Sequence, residues 1–241
     1  QAILALRGIV GAMVGPSNLR SLVVEAGRRD GPCAQLIAAT AHALLISAML
    51  RQAGEDLEAP LVKYASYHQH PVNVAIHLVF IPLIWLSAVV MAAHYPFLGL
   101  DLCVPGTRHP VTWATTAYIA YAAYYVWLFP FEGSMYALLL FVMYLVACKL
   151  AKLDEDKTPG RILQGALILQ VIGWYIQIHP GHLIFEGVKP AILDSLGDAL
   201  SVAPLFSFFD LLWMFSPTPA PGSLQARVAV GVAARRIAMC A

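Results

Sequence analysis

Charge is what this sequence lacks most. Only 12% of its 241 residues are Asp, Glu, Lys or Arg, against 59% apolar. A soluble domain carries about twice that share of charge, because a charged surface keeps it in water. The 15 basic and 14 acidic residues nearly cancel and the basic ones are scattered. No field is available to draw in nucleic acid, so a nucleic-acid partner is not expected. Cysteine is scarce as well: Cys33, Cys103, Cys148 and Cys240 lie far apart, with no CxxC pair, which excludes a zinc-ribbon spacing and a dense disulfide framework. Also absent are a GxSxG elbow, a phosphate-cradling glycine loop, a dinucleotide fingerprint and an HExxH helix.

Long apolar runs are what the chain has in abundance. A helix that crosses a bilayer needs about 20 mostly apolar residues, because in lipid every backbone polar group must be satisfied within it. Residues 72–95, 111–129, 133–150, 162–178 and 196–215 meet that description. They predict an all-α polytopic membrane helix bundle with about five transmembrane helices, spanning residues 61–215. Buried helices of a soluble protein are excluded by size, since so short a chain cannot cover five all-round apolar helices with its own polar surface. Pro82 and Pro204 interrupt two of the runs, which neighbouring helices can accommodate. Tyr95, Trp113, Trp127, Trp174 and Trp213 sit near run ends as interfacial anchors. Residues 1–60 form an N-terminal extension, a targeting segment or an extra helix, with 33–50 apolar enough for a helix in or along the membrane. Residues 216–241 are a tail, read as a weak basic amphipath or disorder.

Histidine placement is the most informative feature among eight such residues. His68, His70 and His77 surround the entrance to the first run, and His179 and His182 follow the fourth. With alternating spans, these two ends share one membrane face. Ionisable groups at membrane depth are costly and face a protein interior or cavity. Asn73 and His77 share a helix face at i, i+4, and so do His182 and Glu186 if a helix resumes after Pro180-Gly181. Several neutral imidazoles with a carboxylate suit iron or zinc. On spacing alone both clusters are ligand candidates, with His70 the weakest member of its own. His94 and His109 are read as ordinary interfacial residues. Tyr64, Tyr67 and Trp174 either line a lipid cavity or anchor the interface. Asp210, inside the last run, should face a partner or cavity.

At these residues the chain resembles the yeast 2-hydroxy-palmitic acid dioxygenase family. The first motif runs Tyr67-His68-Gln69-His70-Pro71-Val72-Asn73-Val74-Ala75-Ile76-His77 and continues in Ile81-Pro82-Leu83-Ile84. The second comprises Trp174, Gln177, Gly181-His182, Phe185-Glu186-Gly187, Lys189-Pro190-Ala191, Leu193-Asp194 and Ala203-Pro204. Two departures stand out: His179-Pro180 lengthens the spacing from Gln177 to His182, and Asp210 stands where Glu is commoner. The resemblance implies an Fe(II)-dependent dioxygenase of the endoplasmic reticulum membrane, with a mitochondrial membrane as the alternative location. Its substrates would be dioxygen and a 2-hydroxy fatty acid, shortened by one carbon in fatty acid α-oxidation and phytosphingosine breakdown. Carried over by position, the residues at stake are His68, His77 and His182, with His179 a further candidate. With the resemblance, the ligand set becomes His68, His77, His179 and His182, or three of them with Glu186. Lys189 is read as a snorkelling interfacial residue, with pairing to the substrate carboxylate as the alternative. Two rivals are a non-catalytic membrane subunit of the same fold and a bis-histidine haem protein.

Overall fold

The computed structural model describes residues 31–52, 58–103, 110–187, 196–216 and 218–240. Lys189, Asp194 and His109, and residues 1–30 of the extension, lie outside them. The described residues form helices joined by short links, with no strand beyond the isolated bridges Pro96–Thr112 and Cys103–Pro110. In chain order the helices are α1 (Pro32–Gln52), α2 (Glu58–Ser66), α3 (Pro71–Ala93), α4 (Trp113–Leu128) and α5 (Pro130–Asp156). There follow α6 (Arg161–Ile176), a π-helical segment (Gln177–Glu186), α7 (Leu196–Ser201), α8 (Ala203–Phe215) and α9 (Leu224–Cys240).

Among the described residues, four helical stretches are long and apolar enough to cross a membrane, Pro32–Arg51, Pro71–Ala93, Pro130–Asp156 and Arg161–Glu186, with Ala203–Phe215 a shorter apolar helix. The expected run 111–129 yields only the 16 residues of α4. The run 196–215 breaks at Val202, because Pro204 cannot continue the hydrogen-bond ladder of the preceding turn, leaving pieces of 6 and 13 residues. The gain is α1, whose sequence left its orientation open. Pro82, by contrast, is carried inside α3 without a break. The tail is helical: α9 packs on α2, and Arg227 Nε donates to Glu58 Oε2 at 2.7 Å.

Helix α3 is the central element, packed against α4, α5, α6, α8 and the π segment. Its start is fixed locally. Pro71 occupies the first turn, where its missing N–H is no loss. It also holds His70 in an extended conformation, from which the imidazole accepts the Val72 N–H at 3.2 Å. Helices α4 and α5 form a hairpin, with Phe129 between them and Pro130 opening α5. Their contact depends on Gly133, because a Cβ there would overlap the Tyr125 carbonyl. The interior is rich in tyrosine. Tyr121 and Tyr125 donate their hydroxyls to the carbonyls of Leu200 and Ser201, at 2.7 and 2.8 Å. These bonds engage carbonyls at the end of the short α7 and tie it to α4.

At the far end of α3 from Pro71, His94 and Asp154 form a pair whose side chains are wholly buried. Its Nδ1 faces the Val90 carbonyl at 2.8 Å and its Nε2 faces Asp154 Oδ2 at 3.1 Å. Asp154 also accepts the amides of Ile162 and Leu163, at 2.9 and 3.2 Å, so it caps the start of α6 while clamping α3 to α5.

Two substitutions test these joints by thermal unfolding of detergent-purified protein. Gly133→Ala is expected to lower the midpoint by several degrees, because its clash is with backbone and no rotamer relieves it. Asp154→Asn is expected to destabilise by about 3 kcal/mol, the scale for breaking a buried pair from one side.

Candidate metal centre

Three histidines from two distant stretches of sequence meet at the N-terminal end of α3. The ligand atoms of His68, His77 and His182 all lie within 4.8 Å of one another, and all three residues are buried. The ring centroids of His68 and His77 are 4.3 Å apart, and each lies 4.9 Å from that of His182. The rings meet edge to face, leaving no slot between them for a porphyrin.

The sequence orients each ring by a local device. His68 Nδ1 donates to the Tyr64 carbonyl at 2.7 Å, and His77 Nδ1 donates to the Asn73 carbonyl at 2.9 Å, each four residues back. With Nδ1 protonated, a neutral imidazole leaves a bare Nε2 lone pair, which is how ligating histidines are set. Tyr64 stacks on His68 at 4.0 Å. Burial, and then the neighbouring His77 and His182, push the His68 imidazole well below its ordinary range, keeping it in the neutral, ligating form.

His182 arrives on the π segment. There the i→i+5 bonding widens the helix. Close approach to α3 is possible because residue 181 is Gly: a Cβ there would lie 2.6 Å from Asn73 Oδ1 and 3.6 Å from His77 Cε1. His68 Nε2, His182 Nδ1 and Asn73 Oδ1 are buried polar atoms with no protein partner. Buried polar atoms are nearly always satisfied. Two unpaired imidazole nitrogens among three converging rings are what a metal ion would satisfy, so the residues present fit one.

His179 does not join the group. It is exposed and stacks on Tyr175 at 5.4 Å. Glu186 also stands apart, with its carboxylate already engaged. It accepts the amides of Gln69 at 3.0 Å and His70 at 2.8 Å and the Asn73 Nδ2 at 3.2 Å, and pairs with Arg236 of α9 at 3.4 Å. Its side chain is only 2% exposed. Glu186 therefore fastens the loop bearing His68 to the segment bearing His182. Neither the loop amides nor Arg236 could be assigned to it from sequence, since no local spacing connects them.

A cavity of about 140 Å³ opens from the three histidines. It follows one face of α3 through Ile81, Ile84, Trp85 and Ala88, with Tyr64 and Trp174 also in its walls. Tyr67 is buried but outside that lining. From His77 to Ala88 the path is about 16 Å at the helical rise. Gln177 also faces the cavity; the sequence placed it within a motif but gave it no role.

Cobalt(II) titration of the full chain in detergent tests these assignments. His77→Ala and His182→Ala should abolish tight binding, and His179→Ala should leave it intact. Glu186→Gln should weaken it about 10-fold or more, as expected of a group that positions a ligand without touching the ion.

No solved structure matches this chain. It is similar to the Saccharomyces cerevisiae protein named 2-hydroxy-palmitic acid dioxygenase MPO1, at 27% identity over 164 residues, covering 68% of this chain and 84% of that protein. Residues 55–214 match the family described as 2-hydroxy-palmitic acid dioxygenase Mpo1-like, a stretch that contains all three converging histidines. The chain belongs to the Mpo1-like family.

Proposed function

We propose that this chain is a membrane-embedded, iron(II)-dependent dioxygenase that shortens 2-hydroxy fatty acids by one carbon, in the endoplasmic reticulum membrane. The observation that carries the reading is the group His68, His77 and His182 at the head of an apolar cavity. The name of the yeast relative supplies the substrate class.

Bilayer embedding is supported by the four long apolar helices and by outward-facing Leu138, Leu167 and Val171, which are 66%, 56% and 65% exposed. Lipid covers such surface at no penalty. His77 lies about 9 Å along α3 from its first residue, near the depth where headgroups give way to acyl chains. A fatty acid entering there keeps its polar end at the histidines and lays its tail along the α3 face towards Trp85 and Ala88.

His68 Nε2, His77 Nε2 and one nitrogen of His182 would hold the ion. Iron(II) bound by three imidazoles keeps open positions, where dioxygen and the substrate's 2-hydroxyl and carboxylate can be activated. The stoichiometry balances with one dioxygen. Releasing the carboxyl carbon as carbon dioxide and oxidising the hydroxyl-bearing carbon to a new carboxyl removes four electrons, and the reduced oxygen leaves as part of the products and one water. The protein's share is orientation and exclusion of bulk water. The Tyr64 and Asn73 carbonyls lock two rings, Glu186 anchors the loop, and the apolar walls shield the reacting end.

The test is oxygen uptake by iron-loaded, detergent-purified protein given 2-hydroxypalmitic acid, with the shortened acid followed by mass spectrometry. His77→Ala and His182→Ala should each lower turnover by at least 100-fold, while His179→Ala should stay within 2-fold; loss of a direct ligand exceeds the 10–100-fold effect of an outer-shell group. Unchanged turnover in both ligand variants would refute the assignment.

A further inference from the structure

Apart from the imidazole nitrogens of His68 and His182, the spare hydrogen-bonding groups in the walls of the cavity can all donate, the Tyr64 hydroxyl being able to accept as well. Gln177 and Trp85 are each 5% exposed and Tyr64 is 8% exposed. Gln177 Nε2, Trp85 Nε1 and the Tyr64 hydroxyl are buried without a partner, and all three residues line the cavity. The described lining residues include no Asp or Glu. An amide NH₂ and an indole N–H can only donate, so the cavity offers protons and lacks charged acceptors. Its complement is a ligand whose oxygens only accept.

Gln177 is the donor best placed for the reacting end. It opens the π segment, and His182 follows five residues later. In a π-helix the residue five positions on closes the hydrogen-bonded ring, which stacks the two side chains on one face; an α-helix would turn them apart. The widened helix that delivers His182 to the metal group therefore delivers the Gln177 amide beside it. Trp85 lies eight residues beyond His77 on α3, about 12 Å deeper, against the path of the tail. Tyr64 is turned by its stacking on His68.

We propose that Gln177 is the residue that recognises the substrate's carboxylate, its Nε2 donating to one carboxylate oxygen while the tail lies along α3. This rests on the dioxygenase reading for the identity of the ligand but on the cavity alone for its chemistry. It makes Gln177 a selector for free acids over alcohols of the same length.

The experiment uses the full chain, metal-free, in detergent, with a fluorescent fatty acid displaced by 2-hydroxypalmitic acid or by the diol in which its carboxyl is reduced. Wild type should prefer the acid. Gln177→Leu should weaken acid binding about 10-fold, the scale of one hydrogen bond to a charged group, and change diol binding much less. Gln177→Glu should abolish acid binding by like-charge repulsion and retain the diol, showing that the cavity is intact. Wild-type affinity for the acid in Gln177→Leu, or equal losses for acid and diol, would overturn the proposal. Since no turnover is required, a wild-type protein that selects acids through Gln177 yet consumes no oxygen would sink the dioxygenase reading and leave this one standing.

Discussion

The carboxylate of Glu186 joins two stretches of chain more than 110 residues apart, and the geometry of the histidine group depends on that joint. One side of it is the turn after α2, whose Gln69 and His70 amides donate to the carboxylate. The other is the end of the π segment. A charged acceptor facing two amides and one side-chain amide makes stronger bonds than a neutral one, and with its side chain almost fully buried it has little water to compete for them. Ring orientation is set separately and locally, by the carbonyls of Tyr64 and Asn73. The site thus divides its labour, with short-range bonds to aim the rings and one long-range anchor to bring them together.

A bilayer around the four long apolar helices, as proposed, would give the arrangement its chemical sense. The histidines lie at the first turns of α3, where water and headgroups would reach, while Ile81, Ile84, Trp85 and Ala88 carry an apolar face beyond them. In lipid the hydrophobic effect does not pull helices together, so close packing and buried polar contacts must do so. Gly133 at the α4–α5 hairpin and the His94–Asp154 pair serve those ends away from the site. Gly181 does the same beside it.

Much of this was legible in the residues, and what was not has identifiable causes. Helix α3 is written plainly, with Pro71 at its start and an unbroken apolar run behind it. The all-α bundle was legible from the apolar runs, while the break inside 196–215 was not, because hydropathy does not register that Pro204 ends a ladder. His68, His77 and His182 could be grouped by counting crossings. His179 was drawn in by proximity in sequence, but a helix one residue short of a turn points it to the outside. Glu186 was read beside the histidines as a carboxylate ligand, whereas its carboxylate is engaged by the amides of Gln69 and His70, which carry no signature in sequence. Gln177 was visible only as part of a pattern. That its Nε2 is left without a partner is a property of the folded interior.

Helix α9 lies beyond the stretch that matches the family, yet Arg236 reaches the same carboxylate that anchors the histidine loop. Whatever grips or shifts this helix acts by leverage on the acid that fastens the histidine-bearing loop to the π segment. A helix outside the family-matching stretch is thereby a handle on the interior.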